Sequence, residues 1–196
     1  MVALVVIAIA QRKPPFARAY GSVFGVAIAA DAFLNGPWTP IKSGTFVAAA
    51  VGVVFVIIGD LRYFVVLEHA GANALKLPRA VAWSLLVPAI VQMMRSVLPR
   101  LARDERSTYL AYELLFFALV SGIRVFRVPR SLRPTLAKRA TALELFQYGT
   151  WIVADIGLTL THVDAFNGVR LVANLIYYVA FVPVMMRLLE NEEVAR

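Results

Sequence analysis

Cysteine is absent from this 196-residue chain, and histidine occurs only twice. The first absence excludes disulfides, thiolate catalysis, iron–sulfur clusters and cysteine-based zinc sites together, and it leaves no trace of a redox compartment. Charge is scarce too: 16% of the residues are Asp, Glu, Lys or Arg, against about 25% in a soluble domain. There is no Gly-rich phosphate loop, no His-Glu zinc helix and no nucleophile elbow, and Ser84, Ser96 and Ser121 stand without a neighbouring base. No catalytic motif and no cofactor are therefore implied.

What is present is apolar. Hydrophobic residues make up 60% of the chain and the mean hydropathy is +0.72, which excludes an ordinary soluble enzyme. One helical crossing of a 30 Å hydrocarbon layer uses about 20 residues. Six runs satisfy that length: Ala19 to Pro37, Thr45 to Leu67, Ala80 to Leu98, Tyr109 to Phe126, Ala142 to Leu160 and Val169 to Leu189. The expected fold is all-α, a polytopic transmembrane helical bundle forming a single membrane domain. Met1 to Ala10 is a further apolar segment. Ten helical residues cover only about 15 Å, so this segment is a seventh span only if it crosses incompletely, and otherwise lies at the interface. It lacks a preceding positive region and a small-residue cleavage site, so a cleaved signal peptide is not expected.

Helix punctuation follows the same boundaries. Pro78 and Pro134 suit helix entry, Gly71 suits an exit, and Thr141 with Glu144 has the spacing of a capping box opening the fifth span. Pro88 and Pro183 predict kinks. Gly21, Gly25 and Ala29 stand four apart on one face, and Val47 to Gly52 is rich in small residues, which suits close helix packing within the chain or a homo-oligomer seam. Trp38, Tyr109 and Tyr20 lie at span ends and read as interfacial anchors.

The net charge of +8 would suggest nucleic acid in a soluble protein, but here the basic residues punctuate apolar runs, so the expected partner is the bilayer with its anionic lipids. Lys42, Arg95, Arg100, Arg103, Arg106 and Arg170 fall on one side of the six-span scheme, and the other fourteen of the 20 Lys and Arg fall opposite. The richer side is expected to be cytoplasmic and to hold the C-terminus. Arg124, Arg127, Arg130 and Arg133 recur every third residue, a spacing that resembles voltage-sensor helices. Pro129 interrupts the series and it runs into Pro134, so Arg127, Arg130, Arg133, Lys138 and Arg139 are expected instead to contact headgroups. Seven segments would also resemble retinal proteins in outline. That family requires a Schiff-base lysine in the last helix, and Val169 to Leu189 has none.

Function is sought where a residue is costly to place. An acid at the centre of a membrane helix costs about 2.5–3.5 kcal/mol, and Asp31, Asp60, Glu113 and Asp155 are such acids. By the charge scheme Asp31, Glu113 and Asp155 lie at similar depth, roughly 6–9 Å below the outer interface. If their helices adjoin, they form an outward acidic vestibule for protons or cations, with Asn35, Tyr112 and Thr159 supplying neutral oxygens. The alternative is that each acid pairs separately, for example with Arg95. Asp60 and Arg62, two residues apart, point to different faces and each needs a partner on another helix, with Glu68, Glu144 and Arg124 as candidates. They make an inner polar switch or a helix lock. His69 and His162 end different spans on opposite sides, so they cannot share a metal, and His162 with Asp164 offers too few ligands. The expected function is a small cation- or proton-handling transporter or channel. The alternatives are a non-catalytic subunit of a larger membrane complex and a lipid-binding or lipid-modifying membrane protein.

Overall fold

The computed structural model describes residues 13–72, 74–98 and 104–194, and these are helical with no strand among them. In chain order the helices are α1 (Pro15–Leu34), α2 (Phe46–Gly71), α3 (Leu77–Val97), α4 (Glu105–Phe126) and α5 (Pro134–Thr161). A 3-10 turn (Val128–Arg130) joins α4 to α5. The last helix, α6 (Ala165–Val194), runs for 30 residues and contains a π turn at Ile176–Ala180. Pro183 follows that turn closely. Its missing N–H and its ring disturb the ladder around Val179, and the wider π turn accommodates this. Pro88 removes the donor to the Ser84 carbonyl, yet α3 continues through it to Val97.

Five helices, all except α5, are long and apolar enough to cross a membrane. The exposure pattern agrees with a lipid solvent. Val26, Val53, Met93, Phe126 and Leu171 are exposed, while Asp31, Asp60, Glu113, Glu144 and Asp155 are buried, an arrangement suited to an apolar surround. The count is therefore five rather than the six expected. The difference is α5, whose 28 residues are long enough but whose buried Thr141, Glu144, Gln147 and Asp155 dilute its apolar character. Its main packing partners are α4 and the first half of α6, while Phe146, Val153 and Leu160 on another face are exposed. The segment Met1 to Ala10 lies outside the described residues.

The described residues fall into two compact units, one running to Arg62 and resuming at Tyr178, the other Tyr63–Tyr177. In the first unit α1 packs on the last half of α6, burying Ala17, Tyr20, Gly21, Phe24 and Gly25, whereas Ala29 faces outward. Tyr20 is thus a core residue rather than an interfacial anchor. The helix begins at Pro15, which carries Tyr20 more than a turn inward, against Phe24 at 4.8 Å between ring centroids. Pro14 offers no capping side chain. Instead Glu193 accepts from the Phe16 and Ala17 N–H groups at 3.2 and 3.4 Å, and Lys13 pairs with Glu190 at 2.5 Å. Unpaired donors and the positive end of the α1 dipole both favour an acid there.

The second unit is built around α5. Tyr112, Phe116, Tyr148, Trp151 and Tyr177 form a continuous run of rings, the tightest being Phe116 with Tyr148 at 4.3 Å. The Trp151 indole N–H donates to Asn174 at 3.0 Å. Thr141 does not cap α5 as its spacing with Glu144 suggested. Pro134 opens the helix, so Thr141 is interior and fully buried, with its hydroxyl 3.1 Å from that of Tyr63. A side-chain cap does form on α4, where Asp104 accepts from the Arg106 and Ser107 N–H groups at 3.2 Å each. The Ser107 hydroxyl, together with these amides, holds the Asp104 carboxyl below the usual range.

Two positions at the α5–α6 turn are set by local geometry. His162 caps α5 in the left-handed region, φ 54°, where a Cβ is disfavoured by roughly 1–2 kcal/mol. Glycine removes that strain at some cost in unfolded-chain entropy, so His162→Gly is expected to raise stability by about 0.5–1 kcal/mol, read as a later denaturant midpoint. At Gly157 a Cβ would collide with the Phe166 ring. Gly157→Ala should therefore lower stability by about 1–3 kcal/mol, and Phe166→Ala in the same chain should recover part of the loss; an additive double variant would contradict this packing.

Candidate functional site

Helices α5 and α6 are joined by only three residues, and a connection that short makes them antiparallel neighbours. Asp155 and Arg170 stand at similar distances on either side of it, so they come level. The Arg170 Nη1 donates to Asp155 Oδ1 at 2.7 Å. Asp155 is fully buried, while a third of the Arg170 side chain reaches the surface. Packing of α4 on α5 brings Glu113, 5% exposed, within electrostatic reach of both Asp155 and Arg170. Arg106, at the start of α4, lies within reach of Asp155.

This is a group of two buried carboxylates and one guanidinium bonded to only one of them. Glu113 Oε2 and Asp155 Oδ2 are buried and have no hydrogen-bond partner among the described residues. A buried carboxylate oxygen without a donor is costly. Thr159 does not contribute its hydroxyl, which donates to the Asp155 backbone carbonyl at 2.7 Å. Tyr112 packs beside the stacked Phe116 and Tyr148 rings. No group of three or more His, Cys, Asp or Glu placed to hold a metal occurs among the described residues.

The third predicted acid, Asp31, belongs to the first unit. Its carboxylate accepts from Asn35 Nδ2 at 2.7 Å and from the Tyr178 hydroxyl, which also lies within electrostatic reach of Arg62. Asp60 and Arg62 are buried in that unit, and the Arg62 guanidinium stands 4.1 Å from the centre of the Phe181 ring, a cation–π contact.

The basic residues divide between interior and surface. Arg127 Nη2 donates to Glu68 at 2.5 Å, with Arg79 Nε at 3.5 Å. Glu68 is thus engaged within the second unit. Arg133 closes the end of α2, donating its backbone N–H to the Ala70 carbonyl at 3.0 Å and its guanidinium to that of His69, a use of arginine on terminal carbonyls. Arg124, Arg130, Lys138 and Arg139 are exposed.

Arg170, Tyr178 and the Glu68–Arg127 pair were not singled out from sequence. For Arg170 a signal existed in its symmetric placement with Asp155 about the His162 turn. For the other two no sequence spacing indicates the partner. Comparison with known family models, curated proteins and solved structures gives no match to this chain.

Proposed function

We propose that this is a multi-pass membrane protein that takes up and passes a proton or small cation at the Glu113–Asp155 pair, with Arg170 as the resident counter-charge. The observation that carries the reading is the pair of buried carboxylates near one guanidinium that is bonded to Asp155 alone, each with an oxygen lacking a partner. With both acids ionised the trio has one uncompensated negative charge, which a low-dielectric interior disfavours and which one proton or monovalent cation removes. Arg170 is one-third exposed and Arg106 is exposed, so the group lies close to the surface of its unit.

With α5 also crossing, as its 28 residues allow, the bias of Lys and Arg turns the pair to the outer side and the C-terminus to the cytoplasm. Asp60 and Arg62 are the inner polar element, and Asp31 with Tyr178 and Asn35 is a further polar station; the reading does not rest on either. Reconstituted into liposomes, the protein should dissipate an imposed H⁺, Na⁺ or K⁺ gradient faster than protein-free vesicles. Equal decay of all three gradients with and without protein overturns it.

A further inference from the structure

At the end of the second unit where α2 finishes and α3 begins lies a cleft of about 370 Å³ unrelated to the carboxylate pair, lined by Glu68, Lys76, Arg79, Phe126, Arg127 and Arg130, among others. Four cations surround a single carboxylate. Glu68 is engaged by Arg127 and Arg79. Lys76 and Arg130 are exposed and have no acidic partner among the described residues. Arg127 Nη2 is held firmly on Glu68. Arg79 is half-exposed beside it, so three accessible cations, Lys76, Arg79 and Arg130, line the cleft around a fixed guanidinium, an arrangement that suits an oxyanion.

The backbone favours the same ligand. Helix α3 starts at this cleft with no side-chain cap, so the positive end of its dipole is open. The opposing negative end of α2 is blunted because Arg133 occupies the His69 and Ala70 carbonyls. The rim is apolar: Phe126 is 68% exposed, and Leu75 and Leu77 flank Lys76 at 38% and 48%. Cations at the ends of apolar helices, bordered by exposed apolar side chains, match a phosphate attached to acyl chains better than a free one.

We infer that this cleft binds the phosphate of an anionic lipid headgroup, with Arg127 and Arg79 held in place by Glu68 and with Lys76 and Arg130 closing on the ligand. Glu68 thus acts as a positioning residue. The cleft is separate from the proposed ion pathway, so either reading can fail alone.

The test is binding of short-chain phosphatidylglycerol, phosphatidylcholine and inorganic phosphate to the detergent-solubilised full chain, followed by thermal shift. Phosphatidylglycerol should bind about tenfold or more tighter than phosphatidylcholine, and Lys76→Gln with Arg130→Gln should weaken it by about 10–30-fold. Both residues are exposed, so folding is not at stake. Gly71→Leu tests occupancy without touching a charge, because a Cβ there sits 3.7 Å from Arg127 Nη2 and a longer chain enters the cleft; a similar loss is expected. Arg18→Gln with Arg187→Gln, exposed and outside the cleft lining, should leave affinity unchanged. Equal losses in the two double variants would reduce the site to a diffuse basic surface and overturn the inference. So would equal affinity for the two lipids. Inorganic phosphate binding as tightly as phosphatidylglycerol would overturn the lipid assignment.

Discussion

Glu113→Gln and Asp155→Asn should each slow the ion flux of reconstituted protein by about 10²-fold, the scale on which a positioned acid–base group contributes. Both changes keep the shape of the side chain and remove its ability to exchange a proton or carry a negative charge. The fold should survive Asp155→Asn because Arg170 is one-third exposed and can turn to water; far-ultraviolet circular dichroism and elution volume check this. Glu113→Asp keeps the carboxyl but draws it back by one methylene, so flux should recover part of the way. Asp31→Asn should have a much smaller effect, since that carboxylate lies in the other unit and is bonded to Asn35 and Tyr178. Unchanged flux in both Glu113→Gln and Asp155→Asn would remove the pair from any pathway. A loss in Asp31→Asn equal to theirs would restore the three-acid vestibule that the spacing along the chain suggested.

Glu68→Gln is expected to cost about 2–3 kcal/mol of stability. Breaking a buried ion pair by removing one partner typically costs about 3–5 kcal/mol. The lower figure applies because the Arg127 side chain is 20% exposed and Arg79 52% exposed, which lets water reach the stranded cations. The loss arises mainly from Arg127, left beside an amide that cannot balance its charge. Replacing both partners, as in Glu68→Met with Arg127→Met, removes that stranded charge and should restore most of the stability. Urea unfolding in a fixed detergent measures all three chains. A single variant within about 0.5 kcal/mol of the parent, the range of an ordinary surface change, would mean that the pair does not hold the end of α2 to α4.

Much of the architecture was legible because it is local. Pro78 and Pro134 begin α3 and α5 as expected, since proline needs no N–H partner in the first turn. Five apolar runs became five apolar helices because hydropathy belongs to a segment by itself. The expectation for Ala142 to Leu160 differed in degree: the helix formed, but its buried acids and amide lower its apolar character below that of the other five. The capping box at Thr141 misled for a similar reason. Three-residue spacing between a hydroxyl and an acid cannot distinguish the start of a helix from its middle, and Pro134 had already supplied the start.

The chain's composition and periodicity determined that it is helical, that lipid suits its outer faces, and that its few embedded acids are the costly residues. Tertiary structure alone decided which base meets which acid: Arg170 with Asp155, Arg127 with Glu68, and Tyr178 with Asp31. The physical reason is that burial cost is a property of one residue and its segment, whereas an ion pair depends on which helices adjoin and how each is rotated about its axis.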